Sequence, residues 1–506
     1  MRKQSFRVLT FTEDALLREI EKASCAPTGT DAFFQSKYLA HYLADPESGA
    51  RTIIVETPYV DRYFLEEYTR YYATALHPPK PKATRVHFFK NRFDQAEFGA
   101  FLLDAANGAY ADVCGELSKN YLGFAVIRPL PSAPIGRTIL ATYKSGDQDR
   151  CYALPPSPYI VHMAGLRLPV NGIPFQQQEQ AVGACATTAI WCALSRIVRT
   201  DGGRAPTPFA VTEAATKNVI WDRAFPAASG LKDEQVLEAI RHFGYSPLWV
   251  EPKDEAEMAA LALKCYVRSG IPVILKISDP EERVEAHDVT VVGFSEYASD
   301  AEDQQTKIII SPSHTLKSRM IRRIYVHDDR LGPYARAELV CKGNDFRMKY
   351  VTNKAGFEKF AQEVVIWNLV VPLYPKLRLT AFNLIGIGCD LLPFVKAVVG
   401  PEAAAFLRVD FRFILSGDYL GEIFLGDFPA HKKVALATTA VLSRYIGVIE
   451  FCAGPDSLFH IIYDTTDIRR DVPKHSQLIA MIAKFDEDVP KLSEYCDRYA
   501  PHALVF

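Results

Sequence analysis

The sequence predicts an α+β protein: a central unit, helical first and strand-rich second, lies between two units of mixed α/β character. Three observations predict it. Runs with helical spacing follow one another after Cys185, apolar runs bounded by turn residues dominate from about residue 271, and both patterns mix in the outer segments. At 506 residues the chain is too long for a single core. Its composition and turn signals divide it at 1–164, 165–375 and 376–506.

In the first unit, TIIVETPYV (52–60) reads as a strand and YFLEEYTRYYATAL (63–76) as a helix. HPPKPKATRVHFFKNRF (77–93) reads as a solvated linker and a strand. YLGFAVIRPLPSAPIGRTILATY (121–143) reads as two strands around a proline-rich turn. The polar run KSGDQDR followed by ALPPSPY marks the boundary.

In the central unit, ATTAIWCALSRIVRT (186–200) continues a helix that Cys185 opens. GLKDEQVLEAIRHFGYSP (230–247) is a second helix stopped by Gly244, and EAEMAALALKCYVRSG (255–270) a third ended by Gly270. IPVILKI (271–277) is a buried strand. HDVTVVGFSEY (287–297) and TKIIISPS (306–313) are two more, joined by the acidic loop ASDAEDQQ. KSRMIRR (317–323) is a solvated turn into the strand RRIYVHDD (322–329), and VVIWNLVVPLY (364–374) is a late apolar strand.

The last unit carries strands at RVDFRFILSG, YIGVIEFCAG and LFHIIYD, and a final helix near SQLIAMIAKFDEDVPKLSEY (476–495). Its GIGCD (386–390) is a lone G-x-G without the rest of a dinucleotide fingerprint. FNLIGIGCDLLPFVKAVV, the most apolar long run, contains Asp390, Pro393 and Lys396 and makes a poor membrane span.

Hydrophobic content of 48% and charged content of 23% are ordinary for globular chains. With 58 basic and 60 acidic residues, no net field favours nucleic acid or anionic lipid, so neither is an expected partner. The start MRKQSFRVLTFTEDALL meets acidic residues before any apolar run of signal-peptide length. The ten cysteines are scattered without a C-x-x-C pair, which leaves no zinc or redox motif; neither metal nor cofactor is expected. Free thiols in a reducing, cytoplasmic setting fit best.

One cysteine stands apart. In QQQEQAVGACATTAIWCAL (176–194), Cys185 sits among small residues where a helix begins. Unpaired N–H groups and the aligned peptide dipoles there favour a thiolate. A base has to come from elsewhere in the chain. His287 is the candidate because it opens an apolar strand directly after a buried one, from where it can project into a cleft. The partner that orients an imidazole is a carboxylate or amide. Asp328, at the end of RRIYVHDD, would lie near the His287 strand in an antiparallel sheet. Asp329 competes with it, and Asp288 is disfavoured because neighbouring strand residues face opposite ways. The Cys185 amide and an upstream glutamine, Gln180 or Gln178, are the candidate oxyanion donors.

In order, Q-A-V-G-A-C, H-F-G-Y, S-G-I-P-V-I-L, A-H-D-V-T-V-V-G-F and I-Y-V-H-D-D resemble the papain-like cysteine peptidases. The closest likeness is to the bacteriocin-processing, double-glycine leader type and its stand-alone relatives. The resemblance spans the central unit and implies Cys185 as nucleophile, His287 as base, Asp328 as its orienting partner and Gln180 in the oxyanion hole. That family places its glutamine six residues before the cysteine, where this chain has Glu179, and a small residue after the histidine, where it has Asp288. The expected activity is hydrolysis of a peptide or isopeptide bond, with a protein or peptide as substrate. A transglutaminase-like acyl transfer and a catalytically silent binding scaffold are the alternatives.

Overall fold

The structure, a computed structural model, describes residues 5–26, 34–142, 158–179, 184–218, 230–252, 255–279, 286–297, 301–342, 345–352, 357, 360–454, 456–466 and 474–506. It is an α+β fold with three larger sheets and two hairpins.

The first sheet is an antiparallel meander of β1 (Phe6–Thr10), β2 (Thr52–Tyr59), β3 (Ala83–Phe89), β4 (Tyr121–Ile127) and β5 (Ile135–Leu140). Helices α1 (Glu13–Ser24) and α2 (Phe34–Ala44) join its first two strands, α3 (Arg62–Arg70) precedes β3, and α4 (Gln95–Asp104) and α5 (Tyr110–Asn120) precede β4. Every residue of β4 is buried, the continuous apolar run of a strand covered on both faces. The hairpin β6 (Pro158–Met163) and β7 (Leu166–Asn171) packs its alternate residues Val161, Met163, Leu168 and Val170 into the same core. The expected division at residue 164 therefore falls on the tip of a hairpin whose core is the first unit's.

Next come α6 (Cys185–Thr200), α7 (Pro208–Thr216), α8 (Asp233–His242), β8 (Ser246–Val250) and α9 (Ala256–Arg268). Gly244 and Gly270 follow α8 and α9 at φ +85° and +74°, the left-handed geometry that ends a helix. The second sheet runs β15 (Asp345–Tyr350), β14 (Gly332–Lys342), β13 (Ile321–Asp328), β10 (His287–Glu296), β9 (Val273–Ser278), β16 (Glu363–Leu373), β8. Because β16 pairs with both β9 and β15, six of these strands close on themselves and β8 extends the edge.

The hairpin β11 (Gln305–Ser311) and β12 (His314–Arg319) stands apart from this sheet. KSRMIRR is thus mostly strand rather than solvated turn. Ser318 is fully buried, accepting from Lys264 and donating to Asp410, and those contacts draw the stretch into regular structure.

The third sheet follows α10 (Ala381–Ala405) and comprises β17 (Leu407–Leu415), β18 (Tyr445–Ala453), β19 (Asp456–Asp464), β20 (Leu478–Ala483) and β21 (Leu504–Val505), with α11 (Ser416–Leu425), α12 (Ala430–Thr439) and α13 (Val489–Tyr499). One expectation fails here. The sequence predicts a final helix near 476–495, but LIAMIA is strand β20, between β19 and β21, and helix begins only at Val489. A short apolar run does not distinguish a buried strand from a helix, and pairing on both edges decides it. GIGCD lies inside α10, where a Cβ on Gly388 would stand 2.6 Å from the Phe411 ring; this glycine serves close packing. By length and composition α10 alone among the described helices could cross a membrane, with mean hydropathy 1.6 over the relevant window, of which 44% is buried.

The largest core runs without a break from α6 through the second sheet to α13, across the expected division at 375. Between α9 and β17 lies a buried charge cluster. Lys264 Nζ meets Asp410 at 2.7 Å and Glu296 at 2.6 Å, and Arg268 meets Asp410 and Glu450.

Gly123 sits at a bulge in β4, at φ +117°, where a Cβ would stand 2.1 Å from the Ile139 carbonyl oxygen. Gly123→Ala is expected to lose at least about 1–3 kcal/mol, the cost of a residue forced into such a backbone region, measured by urea denaturation.

Candidate active site

Cys185 is the first residue of α6. Ala184 before it contributes no side-chain cap, so no side chain competes for the helix's first N–H groups. Every residue from Ala186 to Val198 is buried, which fixes the helix, while Cys185 itself is half-exposed. A Cβ on Gly230 would lie 3.9 Å from its Sγ, placing the start of the α8 segment beside the sulfur.

The base arrives through the sheet. Thr290 on β10 donates its hydroxyl to the carbonyl of Ala189, one turn into α6, at 2.9 Å. This tie brings the start of β10, and with it His287, to the start of the helix. The imidazole is buried, with Cys185 close enough on one side to help raise its pKa. On the other, its Nε2 lies 2.8 Å from Asp328 Oδ1 and 3.4 Å from Asp329 Oδ1.

Asp328 closes β13, antiparallel to β10 in a register that pairs Thr290 with His327. Both its oxygens are engaged: the Arg330 amide donates to Oδ1 at 2.9 Å and the Tyr350 hydroxyl to Oδ2 at 2.7 Å. Sequence reasoning missed Tyr350; it stands two strands away, and only sheet register carries it there.

Burial opposes a charged imidazole. The Asp328 and Asp329 carboxylates and the bonds to Asp328 and Cys185 override it and raise His287 to about 10. Asp328 moves the opposite way: burial would raise it, but His287 holds it well below the usual carboxylate range. Asp329, equally buried, is pushed up to about 7 by desolvation and by repulsion from Asp328, against the attraction of His287. Its Oδ2 has no hydrogen-bond partner among the described residues.

His287, Asp328 and Asp329 are also the group here that could hold a divalent ion, their ligand atoms lying within 4.8 Å of one another. The full set of hydrogen bonds on Asp328 suits an orienting carboxylate better. Asp288 is buried, and burial raises it to about 6 against the attraction of Lys276 and His287. His327, next to Asp328, is structural: its ring bonds the Ile173 carbonyl and accepts from the Tyr334 amide.

Gln176 and Gln177 are buried against the first unit. Gln176 donates to Glu67 at 3.1 Å, and the Gln177 side chain accepts from the Ile135 amide at 3.2 Å. Arg128, itself buried, binds Glu67 at 3.3 Å and the Gln177 carbonyl at 3.1 Å. Glu179, at the position where the resembled family has its glutamine, is buried and accepts from the Tyr72 hydroxyl. It is committed to the first unit. Gln178 is half-buried, and Gln180 lies outside the described residues.

Burial raises the thiols of Cys192, Cys265, Cys341, Cys452 and Cys496, which keeps them protonated at neutral pH. Cys185 combines a helix start, partial exposure and an imidazole.

A scan against protein-family models finds no match to the chain, and no curated protein matches it in sequence.

The joint upstream of Cys185 predicts two stability losses, each read from the denaturation midpoint. Arg128→Ala strands the Glu67 carboxylate and should cost about 3–5 kcal/mol. Tyr72→Phe leaves Glu179 without that donor and should cost about 1–3 kcal/mol.

Proposed function

We propose that this protein is a papain-like cysteine hydrolase acting on a peptide or isopeptide bond through an acyl-enzyme on Cys185. The observation that carries this is the grouping of Cys185 beside a buried His287 whose Nε2 is hydrogen-bonded to Asp328. Positive charge beside a sulfur at a helix start is the setting of a thiolate nucleophile.

The Cys185 sulfur attacks the carbonyl carbon, and the Cys185 amide at the head of α6 donates to the oxygen that gains charge. The His287 imidazolium gives its proton to the departing amine as the C–N bond breaks. The imidazole, now neutral, takes a proton from water, whose oxygen attacks the thioester. The acid leaves and the thiolate–imidazolium pair is restored. Asp328 stays ionised throughout and holds the ring. Gln178 or Gln180 supplies the second oxyanion donor, and the flanking segments restrict which chains reach the sulfur. Among the described residues no cysteine is in a disulfide, which suits a cytoplasmic, reducing setting.

Low-dose iodoacetamide tests the nucleophile. Cys185 should alkylate at least tenfold faster than exposed Cys25 by peptide mass analysis, and His287→Ala should remove that advantage. Equal rates at the two cysteines would sink the proposal in favour of a silent scaffold. A chelator should leave the advantage unchanged. With a cleavable substrate, an added amine that diverts acyl product into amide marks the acyltransferase alternative.

The charge pair gives a pH test. Because His287 is raised, the stability its proton adds is complete below the unfolded value of about 6.5 and is lost as pH rises through about 10. Asp328→Asn removes the principal counter-charge. The His287 Cε1 proton resonance should therefore titrate near 10 in the unmodified protein and move toward or below 6.5 in the variant. An unmoved midpoint would show that Asp328 does not set the charge.

A further inference from the structure

We propose a second binding site, for a small phosphate-bearing anion, in the cavity where the end of α6 meets β17 and α11. This cavity encloses about 760 Å³, within the range of small-molecule pockets, and draws its walls from all three segments of the chain. At 1.5 Å per residue, α6 holds it about 22 Å from Cys185, so it is distinct from the candidate active site.

Charge identifies the occupant. Four arginines, Arg196, Arg199, Arg268 and Arg412, line the cavity against two carboxylates, Asp418 and Glu422. Arg268 is tied to Asp410 and Glu450, and Arg412 to Glu422 at 2.6 Å. Arg199 has no carboxylate partner among the described residues. Its guanidinium stacks on the Tyr159 ring at 3.3 Å from the centroid and donates to the Pro158 carbonyl, while its buried Nη1 has no partner among the described residues. A guanidinium held flat, with donors to spare, is arranged for the fork-like recognition of an oxyanion. Rigid placement of this kind lowers the entropy lost on binding.

The opposite wall supplies the room. Gly417 and Gly421, four apart on α11, both line the cavity, and a Cβ at either would meet nothing within 4 Å. Glycine inside a helix costs stability, and no packing contact here requires it. Both positions leave open the volume in front of the arginines.

Pyrophosphate titrated calorimetrically into the full chain at fixed ionic strength tests the proposal, with citrate as the non-phosphate anion. One saturable site for pyrophosphate is expected, weakening as salt rises. Citrate should bind at least tenfold more weakly. Arg199→Gln should weaken pyrophosphate at least tenfold. Gly421→Leu, which fills the cavity from an exposed helical position and improves helix propensity, should abolish binding while the unfolding midpoint is kept. No saturable binding to the unmodified protein, equal binding of citrate, or unchanged binding in the folded Gly421→Leu variant would each overturn it.

Discussion

The candidate site depends on keeping an imidazolium and a carboxylate buried together. Taking either charge out of water costs several kcal/mol, and their attraction repays that only when the remaining hydrogen-bonding positions are filled. The closed sheet fills them. Asp328 ends β13, Tyr350 ends β15, and the registers Ile324 with Ala337 and Ala337 with Tyr350 bring the hydroxyl across two strand spacings to the carboxylate. Burial that would be a liability for an isolated charge makes this pair rigid. It also explains the divergence of two adjacent aspartates. Both are buried beside one imidazole, which cannot neutralise two full charges; Asp328 takes the bonds from Arg330 and Tyr350 and stays ionised, while Asp329 is driven toward its neutral form.

A second constraint acts on the chain just before the nucleophile. Glu67, Arg128, Gln176 and Gln177 form a buried polar cluster, and Tyr72 with Glu179 extends it toward Cys185. Burial raises the Glu67 carboxyl even with Arg128 beside it, so this joint lies in a low-dielectric setting where a missing partner is costly. On the other face of the first sheet, the Tyr334 hydroxyl accepts from the Ile173 amide and donates to the Leu140 carbonyl, while His327 holds the Ile173 carbonyl. The strand leading to the nucleophile is therefore stitched both to the first unit and to the sheet that carries Asp328. Its geometry belongs to neither alone.

This division of labour explains what was legible in the sequence. Cys185, His287 and Asp328 each stand at an element boundary, and boundaries have local signals: small residues before a helix, a polar residue opening an apolar strand, a pair of aspartates closing one. The strand of Asp328 was expected near that of His287 in an antiparallel sheet, and β13 does pair antiparallel with β10. Tyr350 and Tyr72 carried no such signal, because their contacts are set by sheet register and by packing between distant segments. The burial of Gln176 and Gln177 has the same origin, since their partners, Glu67 and Arg128, lie far away in sequence. LIAMIA shows the parallel limit for secondary structure, since six apolar residues fit a buried strand or a helix until their neighbours choose.

One element links these constraints. All thirteen residues from Ala186 to Val198 are buried, so α6 is a central shaft rather than an amphipathic surface helix. The second sheet holds its first turns through Thr290, and Trp191 anchors its middle by donating to the Pro206 carbonyl. At its far end, Asp201 accepts from Arg444 and Tyr445 of the last segment, and Arg199 reaches Pro158 of the β6–β7 hairpin. Its positive end faces Cys185, and its negative end carries Arg196 and Arg199, the polarity that the peptide dipoles favour. The dipole accounts for arginines at this terminus. It does not account for the glycines across the cavity from them, where a Cβ would meet nothing within 4 Å. A helix packed so completely ties the place of Cys185 at its head to contacts from all three segments of the chain.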